Sequence, residues 1–230
     1  MNLDSKRLSY DTTNPHDHIP DLTNVNLGAL SLCEIFNLCG TDKGQVGNAH
    51  RYDVGYEKIF NNLPKQFMMA EIGVACGASL RSFSYYRPQA LIHGYDIRTE
   101  CIKLCKDLTN VEIFIRDAVS NGVLSNYDLI IDDASHISED IVKSFQLNWK
   151  NVNPGGFYVV EDLACVGSDV YTSQHNSIFG RTTNNSRVLF TDFVGSLLQA
   201  VDSKKCIESI LYLPEIIIIQ KRAISASYSL

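Results

Sequence analysis

Between Met68 and Leu163 the chain repeats one pattern: a short apolar run, a stretch with helical spacing, then another apolar run. We read strands at 68–74 (MMAEIGV), 90–97 (ALIHGYDI), 111–117 (VEIFIRD), 127–133 (YDLIIDD) and 155–163 (GGFYVVEDL). Helical stretches such as SLRSFSYYR, TECIKLCKDL and SEDIVKSFQLNWKNV separate them. Strand then helix, repeated, implies parallel strands joined by right-handed crossovers, with helices over both sheet faces. Further on, a helix around TDFVGSLLQAVDS precedes two apolar runs, CIESILYL and EIIIIQKR, separated only by Pro214. So short a link cannot be a parallel crossover, and these runs are expected to pair as an antiparallel hairpin at or near the sheet edge. The expected architecture is α/β: one open, mostly parallel sheet of about seven strands.

In open parallel sheets, ligands bind in the crevice beyond the carboxyl ends of the strands. After the first strand comes EIGVACGAS, Glu71 to Ser79. Its glycines let backbone approach a ligand closely, and the helix that follows offers unpaired N–H groups. Gly73 and Gly77 lie four apart, which is not the G-x-G-x-x-G spacing of a dinucleotide site. Asp96 ends the second strand, where an acidic residue can accept hydrogen bonds from both ribose hydroxyls. Asp117, after the third strand, is a candidate for the nucleoside's other contacts. Taken alone, the glycines suit an ordinary tight turn and Asp96 suits a helix N-cap. Taken together, these residues point to a bound adenosine-type ligand.

The fourth strand ends in YDLIIDDASH and the fifth in NPGGFYVVEDLA. Strands four and five are expected to lie side by side, so Asp132, Asp133 and His136 should meet Glu161 and Asp162. Carboxylates brought together at a buried strand end repel unless a cation sits among them, and oxygen ligands suit Mg²⁺ or a similar hard ion.

Composition narrows the partners. A formal net charge of -6 with no basic run argues against nucleic acid. The polar start, MNLDSKRLSYDTTNPHDHIPD, lacks the apolar core of a signal peptide, and no segment reaches the roughly 18 apolar residues of a membrane span. A cytoplasmic protein without a membrane partner is expected. Seven scattered cysteines without CxxC pairs read as reduced packing residues, and the Asn184-Asn185-Ser186 sequon has no secretory context. His16, His18, His50 and His175 are taken as surface histidines. Lys43, in TDKG, either meets a cofactor carboxylate or is simply solvated. Residues 166–187 read as a polar loop, a lid or acceptor-binding segment. Residues 1–66 are expected to form an arm and helices packing on a catalytic domain at 67–230.

Glu71-x-Gly73-x-x-x-Gly77, Asp96 and the final hairpin resemble the class I S-adenosylmethionine-dependent methyltransferases, nearly from Phe67 to the C-terminus. Asp133-x-x-His136 followed by Glu161-Asp162, with the connector GTDKG...HRYDVGYEKIF, is similar to the metal-dependent sugar O-methyltransferases of macrolide biosynthesis, the mycinamicin type. The resemblance implies a Rossmann-like class I fold with S-adenosylmethionine held by Glu71, Gly73, Gly77, Ser79, Asp96, Asp117 and Lys43. It implies Mg²⁺ or a similar divalent ion on Asp133, Glu161 and Asp162, with His136 as general base and Asp132 on the cofactor side. The acceptor would be a small molecule or saccharide: a sugar hydroxyl of a glycosylated metabolite, nucleotide sugar or saccharide chain. It also implies a homo-oligomer whose N-terminal segments reach a neighbour's site. A sugar hydroxyl is a poor nucleophile near neutrality, so a metal to stabilise the alkoxide and a histidine to take the proton suit the reaction. Two alternatives stand: a catechol-type O-methyltransferase, whose usual ligands include an Asn at the fifth strand's end, and a non-catalytic nucleoside- or metal-binding module.

Overall fold

The computed structural model describes residues 19–45, 50–203 and 206–223. His16 and His18 lie outside them. Two helices, α1 (Leu32–Cys39) and α2 (Asp53–Asn62), precede the sheet. The capping box formed by Ser31 and Glu34 starts α1, and Gly40 in the left-handed region ends it.

Five parallel strands follow: β1 (Met68–Ile72), β2 (Leu91–Asp96), β3 (Val111–Ile115), β4 (Tyr127–Asp132) and β5 (Val152–Val160). Between them lie α3 (Ala78–Tyr86), α4 (Ala118–Asn121) and α5 (Ser138–Asn148). Then come α6 (Asp169–Phe179), α7 (Arg187–Asp202) and the hairpin β6 (Ile207–Leu213) and β7 (Ile216–Lys221). The sheet order is β3-β2-β1-β4-β5-β7-β6, with β7 antiparallel to β5 and β6 at the edge. The expected hairpin and the pairing of β4 with β5 are both present.

Strand alternation divides the core into two layers. Met69, Leu129, Ile131 and Val159 face α1, α2 and α3, where Phe36, Tyr56 and Phe83 pack edge to face. Ala70, Ile72, Ile130 and Val160 face the other side, with Phe145 of α5 against Phe193 of α7. The helices ahead of β1 therefore share one core with the sheet.

Three expectations need correction. The stretch 166–187 is not all loop but contains α6, capped by Ser168 and ended by Gly180. That helix buries only His175, so no apolar stripe marked it. The stretch TECIKLCKDL forms only a short 3-10 turn, Thr99–Lys103. Strand five runs 152–160 rather than 155–163, which leaves Glu161 and Asp162 beyond its end. Among the described residues no helix is long and apolar enough to cross a membrane.

Candidate active site

One row of register partners crosses the sheet near its carboxyl end: Tyr95, Ile72, Asp132 and Val160. One step further along the same strands stand Asp96, Gly73, Asp133 and Glu161. The order reverses between β1 and β4, so this row crosses the switch point where open sheets hold ligands.

Gly73 makes the turn after β1. Its φ is +97°, and a Cβ there would stand 2.2 Å from the Asp133 carbonyl oxygen. No side chain fits this position. Gly77, at φ +80°, is the N-cap of α3. Asp96 closes the turn from the next strand: Oδ2 accepts the Val74 and Ala75 N–H groups at 3.0 and 3.3 Å. Oδ1 accepts the Arg98 N–H at 2.9 Å, and the Arg98 guanidinium also donates to both oxygens. Burial works to raise the Asp96 pKa, but the Arg98 and Val74 bonds bring it below its ordinary value.

Glu71 is fully buried beneath this turn, and its Oε2 accepts the Ser79 hydroxyl at 2.6 Å. Its Oε1 has no hydrogen-bond partner, and burial pushes the carboxyl up to about 8. Asp117, expected among the nucleoside's contacts, caps α4 in this structure, its Oδ1 accepting the Ser120 N–H at 3.0 Å.

Lys43 is neither solvated nor turned to open space. Only 2% exposed, its Nζ donates to Asp133 Oδ2 at 2.7 Å and to Glu161 Oε2, and stands 3.9 Å from Glu71 Oε1. Burial lowers the Lys43 pKa, but Asp133, Glu161 and Glu71 outweigh it and hold the ammonium well above its ordinary value. The connector before α2 thus delivers an internal cation to the strand ends.

The two members of each acidic pair take different surroundings at the strand ends. Asp132 accepts the Tyr158 hydroxyl at 3.1 Å on the α5 side, and burial pushes it up to about 6. Asp133 faces the cleft. Glu161 turns inward to Lys43 and to the Tyr56 hydroxyl, with both oxygens engaged. Asp162, at φ +57°, turns outward.

His136 Nε2 lies 3.9 Å from Asp133 Oδ1 and 3.5 Å from Asp162 Oδ2. One ligand atom from each of Asp133, His136 and Asp162 falls within 4.8 Å of the others. Of the expected trio, Asp133 and Asp162 stand in this group beside His136, while Glu161 is turned to Lys43 and Tyr56. The two carboxylates are oxygen donors that a hard divalent ion accepts, and Lys43 on the neighbouring oxygens shows that this acidic end draws positive charge.

Further side chains surround this group, two of them, Tyr171 and His175, from the 166–187 segment expected to act as a lid or acceptor-binding segment. His50 turns its side chain inward rather than to the surface, lying between Glu215, Asp162 and Asp42, with its ring stacked on Tyr52. Tyr52 donates its hydroxyl to Asp162 Oδ1 at 2.8 Å. His175 is buried, packed between Tyr171 and Phe179 on α6. Tyr171 sets its ring 5.8 Å from that of His136 and donates its hydroxyl to the Ser135 carbonyl at 3.0 Å. The connector's likeness to macrolide enzymes was the one signal toward Tyr52 and Tyr56. No periodic pattern announced His50 or Tyr171.

No protein-family model matches the chain. It is similar to the 8-demethyl-8-alpha-L-rhamnosyl tetracenomycin-C 2'-O-methyltransferase of Streptomyces olivaceus, 34% identical over 136 residues, covering 54% of this chain and 35% of that protein. It is also similar to the mycinamicin VI 2''-O-methyltransferase of Micromonospora griseorubida, 31% identical over 134 residues, covering 52% of this chain and 33% of that one. The matched stretch spans about a third of the length of these curated relatives. Among solved structures, the MycE methyltransferase of the mycinamycin biosynthetic pathway, in complex with Mg, SAH and mycinamycin VI, shares the fold. Its TM-score is 0.68 at 21% identity, covering 86% of this chain and 56% of that one. The chain has the Rossmann-like methyltransferase fold.

Proposed function

We propose that this chain is an S-adenosylmethionine-dependent, divalent-metal-dependent O-methyltransferase acting on a sugar hydroxyl. The observation that supports it most is the meeting of Asp133, His136 and Asp162 beside a glycine-only turn and Asp96. One sheet end thus offers donors for a hard cation, a base for a hydroxyl and a site for a nucleoside. The relatives named for 2'-O- and 2''-O-methylation, and the fold neighbour with Mg and SAH, point the same way.

S-adenosylmethionine supplies the methyl group. Gly73 and Gly77 let the backbone approach it, and Glu71 and Ser79 brace the turn from below. Asp96 is assigned to the ribose hydroxyls, which compete with the Arg98 guanidinium for its oxygens. Lys43 and Asp117 already serve a carboxylate cluster and a helix cap. Asp133 and Asp162 are assigned to the divalent ion, and Glu161 can join them only when Lys43 and Tyr56 release it. The ion, when bound, stabilises negative charge developing on the acceptor oxygen. His136 accepts the hydroxyl proton at Nε2, and Asp162 faces the imidazolium that results.

The acceptor class to try first is an L-rhamnosyl glycoside, the sugar in one relative's name. Among the described residues the cysteines form no disulfide, which suits a cytoplasmic, reducing setting. A homo-oligomer belongs to the same proposal on the strength of the resemblance alone, and analytical ultracentrifugation tests it. The function is tested by transfer of labelled methyl from S-adenosylmethionine to rhamnosyl glycosides. Transfer is expected with Mg²⁺, not with EDTA, and at a rate about 10²–10⁴-fold lower in His136→Ala. Transfer that is indifferent to both EDTA and His136→Ala contradicts the assignment.

A further inference from the structure

The two oxygens of Asp162 have different surroundings. Oδ2 faces His136 across 3.5 Å. Oδ1 accepts the Tyr52 hydroxyl at 2.8 Å and lies 3.6 Å from His50 Nε2. On the other side of that imidazole, Nδ1 stands 2.5 Å from Glu215 Oε2. Glu215 belongs to the turn joining β6 to β7, and its carbonyl accepts the Leu163 N–H at 3.0 Å and the Tyr52 hydroxyl at 3.3 Å. The hairpin turn therefore grips the Asp162 segment twice, through its main chain at Leu163 and through its side chain by way of His50.

An aspartate carboxylate can rotate about its last bond, so a useful ligand needs its far oxygen fixed. Here the far oxygen is held by Tyr52 and flanked by an imidazole stacked on the Tyr52 ring, centroids 4.9 Å apart and 22° from parallel. The His50 side chain is only 5% exposed. We infer, on the premise that a divalent ion binds at Asp133 and Asp162, that His50 is a positioning residue for Asp162 and that Glu215 fixes His50 in turn. The order Glu215, His50, Asp162, His136 joins the C-terminal hairpin to the base. Outer-sphere partners of this kind typically change metal affinity by about 10–100-fold when removed. His50, Asp162 and Glu215 could by their spacing hold an ion of their own, but the close His50–Glu215 pair favours direct contact over a shared cation.

The test is calorimetric titration of Mn²⁺ into wild-type protein, His50→Gln and Glu215→Ala, with S-adenosylhomocysteine titrated into each as a control. Wild type should take one ion per chain. Both variants should bind it about 10–100-fold more weakly while S-adenosylhomocysteine binding stays within about twofold. If His50→Gln fails to fold and loses both ligands, Glu215→Ala, at a side chain 30% exposed on a turn, decides the matter. Unchanged Mn²⁺ affinity in the folded variants overturns the inference. Two ions per wild-type chain, one of them lost in His50→Gln, also overturns it, because His50 is then a ligand. Wild type that binds S-adenosylhomocysteine but no Mn²⁺ removes the metal-dependent function itself, an outcome distinct from a failure confined to His50.

Discussion

Lys43 Nζ donates to Asp133 Oδ2 at 2.7 Å, a bond between residues ninety positions apart that joins the connector before α2 to the end of β4. The same ammonium holds Glu161 and lies near Glu71, so one buried cation answers three acidic side chains. Removing one member of a buried ionic group leaves uncompensated charge, at a cost of about 3–5 kcal/mol. Lys43→Met is therefore expected to lose about that much stability in EDTA, measured by urea denaturation near neutral pH. A loss below about 1 kcal/mol would show that the carboxylates neutralise themselves by taking up protons.

Gly73 and Gly180 both have positive φ, but only Gly73 is crowded: a Cβ would meet Asp133 O at 2.2 Å, whereas nothing lies within 4 Å at Gly180. Gly180→Ala should cost about 1–2 kcal/mol, the strain of the left-handed region. Gly73→Ala should cost clearly more and abolish S-adenosylhomocysteine binding, since it displaces the Asp133 backbone. Equal thermal shifts in the two variants would contradict this packing.

Asp132 gives a pH signature. Burial pushes its carboxyl up to about 6, so the folded chain holds this proton more tightly than the unfolded chain, where the group titrates near 4. Its stabilising contribution is complete below about pH 4 and is lost as pH rises through about 6. Asp132→Asn removes that dependence. The wild-type stability relative to the variant should fall by about 2 kcal/mol between pH 4 and pH 7 in EDTA. Parallel pH profiles from denaturant titrations would count against it.

Tyr171 ties α6 to the loop that carries His136, itself held at φ +54°. Tyr171→Phe keeps the ring against His136 and loses one hydrogen bond, so about 1 kcal/mol of stability should go. Tyr171→Ala should in addition shift the His136 ring resonances in an NMR spectrum. Unmoved resonances would show that the ring contact does not hold the histidine.

The sheet was legible because buried parallel strands advertise themselves as apolar runs, and the glycine turn with Asp96 followed from where those runs end. The acidic pairs 132–133 and 161–162 were legible as pairs, and the resemblance separated Asp133 from Asp132, but not the parting of Glu161 from Asp162. That depends on how the chain leaves each strand, and strand five ends three residues earlier than its apolar run suggests. Lys43 was singled out, but its carboxylate partners and the place of His50 were opaque because the connector has no periodicity and the partners lie far along the chain. Helix α6 was hidden by its polarity: a helix that buries one histidine leaves no stripe to read.

On the proposed function, one sheet end holds both a nucleoside cofactor and a divalent ion. Calorimetric titration of S-adenosylhomocysteine, in Mg²⁺ and in EDTA, into wild type, Asp96→Asn and Asp133→Asn tests it most directly. Wild type should bind. Asp96→Asn should weaken binding at least about tenfold, the loss of a charged hydrogen-bond acceptor. Asp133→Asn should keep the nucleoside and lose the response to Mg²⁺. Absence of S-adenosylhomocysteine binding by folded wild type in both buffers would contradict the account.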